Sequence, residues 1–427
     1  MINLKHLREA PELYIDAARR KRIQVDIESF LRLDQEYRGL KNKVEELRAE
    51  QNKCNKELRG LSGEAKDEML SRMKALSGDV KEEGARLKEL QDEWEKIQLL
   101  IPSLPDEQVP DGKDEDDNVP LRHWGEVPQF AFPLKDHVEL GKNLDIIDVE
   151  RGVKVAGARN YFLKGDGARL QQAILRLAMD LLYEAGFTLF DPPLVVLYEA
   201  MQGTGYFPGG EEQAFHLDVR DDSHYLIGTS EVPVASYHMD EILSESELPK
   251  FYAGISPCFR REAGSYGKDT HGVYRVHQFS KVEQVVICKA DKDESLKHHE
   301  AILHNAELML QKLELPYRVS TVCAGDMGQG QVLKHDIETW MPSRQKYGET
   351  HSCSTFYEFQ ARRLKLRYRD GDGNINYCYT LNNTCIATPR VLIPLLEMHQ
   401  QEDGTVLIPE ALRSYMGGQE RIIPPSS

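Results

Sequence analysis

The chain opens a long helical pattern at Leu33, Tyr37, Leu40, Val44, Leu47, Gln51, Cys54, Leu58 and Leu61. The steps alternate between four and three residues, the spacing of a heptad seam. Gly60-Leu61-Ser62-Gly63 interrupts the helix, and a second seam follows at Met69, Met73, Leu76, Val80, Glu83, Leu87, Leu90, Trp94, Ile97 and Ile101. Two seams of similar length around one tight turn predict helices over about 27–60 and 65–101, paired as an antiparallel hairpin from about Leu31 to Ile101. At 1.5 Å per residue each helix reaches roughly 50 Å. Positions off the seam are charged or polar, so the hairpin is expected to bury only its own contact line and to stand in solvent as a rod.

Taken alone, this segment reads first as a dimerisation coiled coil. The near-equal lengths around the turn favour an intramolecular pair. The first helix also carries Arg38, Lys41, Lys43, Arg48, Lys53, Lys56 and Arg59, a locally basic face able to meet a phosphate backbone.

Pro102-Ser103-Leu104-Pro105 ends the second helix, and an acidic stretch with Pro110 and Gly112 follows. Three parts are expected: an N-terminal domain over 1–105, an acidic linker over 106–118, and a second domain over 119–427. In the second domain, Gly165 to Glu184 reads as an amphipathic helix. Phe187 to Val196 reads as a strand broken by Pro192-Pro193, which suits an edge. Strands are expected at His224 to Ile227, Phe251 to Phe259, Tyr274 to Ile287, Leu364 to Tyr368 and Ile375 to Leu381, and a last helix from about Arg390 to Gln400. Clustered strands with peripheral helices predict an α+β domain around a largely antiparallel sheet. Neither a G-x-G-x-x-G nor a P-loop is present, so any nucleotide is held by other means.

Composition narrows the setting. The net charge of −16 excludes nonspecific coating of DNA but leaves room for a local basic patch. The seven cysteines are scattered without a C-x-x-C pair, which predicts reduced thiols and no structural zinc. The polar start Met1-Ile2-Asn3-Leu4-Lys5 and the lack of a long apolar run predict a cytoplasmic protein without a membrane segment.

The densest chemistry lies between Cys258 and Glu283. A strand ends in Phe259-Arg260-Arg261-Glu262, a glycine-rich loop follows, and a second strand returns through Arg275-Val276-His277-Gln278-Phe279-Ser280-Lys281-Val282-Glu283. A hairpin whose alternate side chains face one way would offer two arginines, an aromatic plate and a carboxylate to one pocket. The arginine fork suits phosphate oxygens, and Phe279 can stack on a flat base. His271 and His277 lie in the same segment, but nothing in the pattern demands acid–base chemistry of them.

This segment resembles motif 2 of the class II aminoacyl-tRNA synthetases, in the form found in seryl-tRNA synthetases. Phe187 to Val196 is similar to motif 1, and Leu226 to Pro233 to the Thr-x-Glu segment of the serine pocket. Glu349-Thr350-His351-Ser352-Cys353-Ser354, followed by Phe359 to Arg363, is similar to the metal-binding strand. Thr380 to Arg390 is similar to motif 3, and the hairpin and linker to the family's tRNA-binding arm and hinge. The resemblance spans nearly the whole chain. It implies a class II antiparallel sheet flanked by helices behind an N-terminal two-helix coiled-coil arm. It also implies ATP-dependent formation of seryl-adenylate from L-serine, then transfer to the 3′ end of tRNA-Ser and, where present, tRNA-Sec, by a homodimer.

Carried over residue by residue, the resemblance gives Arg260 the α-phosphate and the serine carboxylate, Glu262 the adenine amino group and Arg275 the γ-phosphate. Phe279 and Arg390 would sandwich the adenine, with Arg390 catalytic alongside Arg260. Arg261, Val276, Thr350 and His351 complete the ATP site, and Glu349 and Ser352 would hold Mg²⁺ with ATP. Thr229, Ser230, Glu231, Arg260, Glu283, Asn382 and Thr384 form the serine pocket, and Lys41, Lys43, Arg48, Lys53 and Lys56 the tRNA contact.

Bacterial members usually carry Gly-Ser at Asn383-Thr384, a glycine before the motif 3 arginine where this chain has Thr388-Pro389, and a hydrophobic-Ser pair at Thr350-His351. Thr388-Pro389 fits a helix N-cap followed by proline. These departures surround the pocket and leave room for a specialised duplicate that resists an adenylate-like inhibitor or feeds a biosynthetic pathway. Two other readings are an amino-acid ligase for a carrier protein, disfavoured by the arm, and an inactive regulator, disfavoured by the intact arginines and carboxylates.

Overall fold

The computed structural model describes residues 1–219, 222–264 and 272–425. The chain divides into two compact units, Met1–Leu104 and Pro105–Ser427.

In the first unit, two short helices, α1 (Leu4–Glu9) and α2 (Pro11–Arg20), precede the long pair α3 (Ile27–Glu57) and α4 (Glu64–Leu100). Asn3 and Asp26 accept backbone N–H groups at the starts of α1 and α3, as N-caps do. The seam is thin. Leu40, Val44, Cys54 and Leu76 are buried, while most positions between them are exposed. Charges cross it in antiparallel order: Lys43 pairs with Glu83, Arg72 with Glu50, and Arg86 with Glu36. Such exposed pairs set register more than they stabilise. At the open end of the hairpin, Tyr37 stacks on Trp94 with centroids 4.9 Å apart. Asp34 there receives Arg8 in a bidentate bond (2.8 Å twice), Arg38 at 3.0 Å and the Trp94 indole at 3.1 Å. Burial alone would raise the Asp34 carboxyl, but its hydrogen bonds from Arg8 and Trp94 and the charges of Arg8 and Arg38 hold it below the ordinary range.

The second unit is built on an eight-stranded sheet: β1 (Val119–Trp124), β2 (Thr188–Phe190), β3 (Lys250–Phe259), β4 (Gln278–Cys288), β5 (Tyr317–Thr321), β6 (Leu333–Met341), β7 (Lys346–Tyr357) and β8 (Tyr379–Thr388). In space the order is β1-β5-β6-β7-β8-β4-β3-β2, antiparallel except for β2 beside β3. The expected α+β fold with an antiparallel sheet is therefore the one found. Helices α5 (Asp166–Glu184) and α7 (Lys292–Lys312) supply Leu170, Ile174, Ile302 and Leu310 to one large core shared with Val282, Val286 and Leu381 of the sheet. Gln284 and Asn383 bond the Ile302 carbonyl from behind the strands.

Several local expectations change. The segment from Phe187 to Val196 is two strands, because Pro192-Pro193 cannot donate to a ladder. Thr188–Phe190 edges the main sheet, and Val195–Leu197 enters a separate three-stranded sheet. The returning strand begins at Gln278, so Tyr274 and Arg275 precede it. Phe359 to Leu364 forms a helix, α8, rather than a continuation of the metal-binding strand. Thr388 is the last residue of β8, its hydroxyl donating to Gln171, and the helix that follows, α9, runs from Leu392 to His399 with Val391 at its N-cap. The proposed Thr-Pro cap is thus incorrect.

Candidate active site

Strand alternation fixes the first wall of the site. Phe279, Lys281 and Glu283 stand at every second position of β4 and line one cavity, while Val282 points into the core. On β8 a bulge shifts the register between Val282 and Glu283, so that Glu283 lies opposite Thr384 and Val282 opposite Ile386. The Thr384 hydroxyl accordingly donates to Glu283 Oε2 at 3.1 Å. Asn382, Thr384 and Arg390 enter the same cavity from β8 and the segment after it.

The second wall comes from the Gly228-Thr229-Ser230-Glu231 corner that starts the short helix α6 (Glu231–Ala235). Close approach demands glycine twice here: a Cβ on Gly254 of β3 would lie 2.7 Å from Ser230 Oγ, and one on Gly228 would lie 2.4 Å from the Tyr206 hydroxyl. Thr229 Oγ1 accepts from Lys281 Nζ at 2.7 Å and from the Glu231 N–H at 3.2 Å. The Glu231 carboxylate accepts from Gln360 at 2.7 Å, and Gln360 is itself held by Thr380. Burial, then the nearby charge of Glu283, push the Glu231 carboxyl up to about 7.

The opposite end of the cavity is cationic and aromatic. The Arg260 guanidinium donates to the Gly228 carbonyl at 3.2 Å and sits 5.2 Å from the Phe279 ring centre. Glu262, three residues past the end of β3, takes a positive φ of 50° and pairs with Arg275 at 3.3 Å. Arg390 lies over the Tyr274 ring at 4.5 Å and donates to the Glu349 carbonyl at 3.1 Å. Burial works to raise the Glu349 carboxyl, but the charges of Arg390, Lys334, Arg260 and Arg275 outweigh it and hold it below the ordinary range. Thr350 and His351 are buried, linked at 2.8 Å, and Thr350 is tied to Thr339 at 2.7 Å. Burial brings His351 down to about 4, so its imidazole is neutral near pH 7.

Fourteen of the residues named from the sequence thus line one cavity: Thr229, Glu231, Arg260, Glu262, Val276, Phe279, Glu283, Glu349, Thr350, His351, Ser352, Asn382, Thr384 and Arg390. Three do not. Ser230 spends its hydroxyl on the Gly254 carbonyl, Arg261 carries an exposed side chain, and Arg275 reaches the site through Glu262. Arg362 and Arg363 lie over the Tyr377 and Phe359 rings, and Arg363 donates to the Gln202 and Phe207 carbonyls. His277 bonds the Arg260 carbonyl, and His271 lies outside the described residues. Lys281, Tyr206, Tyr274 and Gln360 were not anticipated in the site. The alternation Phe279, Lys281, Glu283 was a signal for the first, whereas Tyr206 and Gln360 arrive from distant segments. In the first unit, Lys41, Lys43, Arg48, Lys53 and Lys56 are all exposed along α3, with Lys43 engaged by Glu83.

Comparison with known proteins agrees with this geometry. Residues 215–399 match the tRNA synthetase class II core domain (G, H, P, S and T). The sheet and its cavity define the catalytic domain of a class II aminoacyl-tRNA synthetase. Residues 1–105 match the seryl-tRNA synthetase N-terminal domain. The chain is 48% identical over 420 residues to the serine–tRNA ligase of Deinococcus radiodurans, covering 98% of each. It superimposes on the seryl-tRNA synthetase of Pyrococcus horikoshii, solved with ATP, with a TM-score of 0.90 at 38% identity over 100% of both chains. The cytoplasmic serine–tRNA ligase of Naegleria fowleri, solved with AMP, gives 0.84 at 30% identity, covering 97% of this chain and 96% of that one. The chain belongs to the seryl-tRNA synthetase family.

Proposed function

We propose that the cavity joins L-serine to ATP as seryl-adenylate and then passes the seryl group to the 3′ end of tRNA-Ser. The observation that carries this reading is the buried Glu283, bonded to Thr384 and Lys281, in the same cavity as Arg260 and Phe279. Glu283 accepts the serine hydroxyl, and Glu231 with Asn382 receives its ammonium. Arg260 orients the serine carboxylate for in-line attack on the α-phosphorus and stabilises the charge gathering there as pyrophosphate leaves. Phe279 offers a face for the adenine, and Glu262 an acceptor for its amino group, with Arg275 held alongside. Arg390 provides the cation at the phosphate end.

Glu349 and Ser352 would hold Mg²⁺. A carboxylate kept ionised by its cationic neighbours and a hydroxyl are hard oxygen donors, and two protein ligands leave positions for phosphate oxygens and water. The ion would neutralise charge on the departing phosphates. The chemistry needs no covalent enzyme intermediate, and the arginines and carboxylates of the cavity suit it by positioning the reactants and stabilising charge.

The exposed cations of α3 support a role for the first unit as the tRNA-binding arm, through backbone and shape contacts, since A-form RNA hides its base edges. A homodimer, a cytoplasmic location and use of tRNA-Sec belong to the same reading. No helix among the described residues is long and apolar enough to cross a membrane. The test is serine-dependent ATP–pyrophosphate exchange, followed by charging of total tRNA. Exchange that needs serine, and seryl-tRNA formed afterwards, support the reading; exchange independent of serine overturns it.

A further inference from the structure

Lys281 is 5% exposed and Glu283 2%, yet both line a cavity rather than a closed core. A buried ammonium is costly unless paired, and an apolar side chain of the same length would fill this wall without that cost. The lysine directs two of its three donors to the amino-acid end: its Nζ lies 2.5 Å from Glu283 Oε2 and 2.7 Å from Thr229 Oγ1. Thr384 also donates to Oε2. Among the described residues both bonds of the Glu283 carboxylate therefore end on one oxygen, which leaves Oε1 as the acceptor for a ligand. Thr229 is divided in the same way. Its oxygen accepts from Lys281 and from the Glu231 N–H, so its two lone pairs are used and its proton remains to be donated.

We propose that Lys281 is a positioning residue for hydroxyl recognition: it holds Glu283 Oε1 as the acceptor and the Thr229 hydroxyl as the donor for the side-chain O–H of serine. The inference rests on the reading of this cavity as a serine-activating site. It also explains the charge balance there. Glu231 and Glu283 face one lysine, so once Glu231 is ionised the two carboxylates outnumber the lysine by one charge, which can receive one ammonium. The other titratable groups around it are Tyr206; Cys258 and Arg260 at the end of β3; His351 and Glu349 on β7; Cys385 on β8; and, toward the cationic end, Glu262, Tyr274 and Arg390. Lys281 lowers the Glu231 carboxyl, so its removal raises the pH at which Glu231 ionises.

The test is Lys281→Met in the full chain, with serine KM, ATP KM and the serine-to-alanine preference measured by pyrophosphate exchange from pH 6 to 9. Loss of bonds to a charged group predicts a rise in serine KM of roughly 10- to 100-fold near pH 7, with ATP KM nearly unchanged. The preference for serine over alanine should fall by a similar factor, and serine KM should go on improving to a higher pH than in wild type. The double variant Lys281→Met/Glu283→Gln leaves neither of this pair charged and should match Glu283→Gln alone. If Lys281→Met does not hold its fold in a thermal melt, that double variant carries the test. Unchanged serine KM and pH profile, parallel losses for serine and ATP, or an additive double variant would overturn the role of Lys281. Wild-type protein without serine-dependent exchange would instead overturn the reading of the cavity itself.

Discussion

The arm and the cavity handle charge in opposite ways. Along α3 and α4 the ionic pairs lie outside a narrow apolar seam, in water that screens them, and apart from the Asp34 cluster each could be lost cheaply. In the cavity, Lys281, Glu283, Glu231 and Arg260 sit on strand positions and corners with fixed partners, and removing one leaves another without compensation. An exposed, redundant charge surface suits a partner that is itself a line of phosphates. A buried and fully assigned set suits a small ligand whose every polar atom must be met. The two regions should therefore fail differently when altered.

The largest difference is expected from Arg260→Ala. Comparable deletions of a charge-stabilising donor lower rates by roughly 10²–10³, and serine-dependent exchange should fall by that much. Exchange within a few-fold of wild type would remove Arg260 from the chemistry. Next comes removal of residues 35–98 with a short linker in their place. Exchange should stay near the wild-type rate while charging at limiting tRNA collapses; equal charging by the shortened protein would make the hairpin a dimerisation or docking element.

A smaller effect is expected from pH. The folded Glu231 carboxyl stands at about 7, above its ordinary range, and in the proposed site its ionised form would receive the serine ammonium. Serine KM should thus rise as the pH falls below 7, while ATP KM follows a different course, and a serine KM flat from pH 6 to 8 would contradict this. The depressed Asp34 carboxyl has the opposite sign: its contribution is present at neutral pH and lost as the solution is acidified through the acid range. Asp34→Asn should lower the stability of the first unit by about 2 kcal/mol, read in a urea melt. The smallest effect belongs to joint neutralisation of Lys41, Lys43, Arg48, Lys53 and Lys56, which should weaken tRNA binding and flatten its salt dependence without touching exchange.

Legibility in the sequence follows the same division. A heptad seam announces itself, since each helix needs only its own period, and the Gly/Ser turn marks where it reverses. The Asp34 cluster was not legible, because Arg8, Arg38 and Trp94 meet there only after the hairpin closes. In the second unit the long motifs named most of the cavity wall. Mid-strand lysines read as surface charge, so Lys281 was passed over despite its place between Phe279 and Glu283. Strand β6 was missed because its Lys334, His335 and Asp336 are drawn inward and mask the alternation of apolar positions. The place of Arg363 was not legible either: its bonds to the Gln202 and Phe207 carbonyls reach a distant segment.

The central claim is that this cavity selects the hydroxyl of serine. Pyrophosphate exchange by the intact chain, measured with serine and with alanine at matched concentrations, tests it most directly. A site that leaves buried groups unpaired when the hydroxyl is missing should favour serine by about 10⁴ in kcat/KM. Alanine used within tenfold of serine would contradict it.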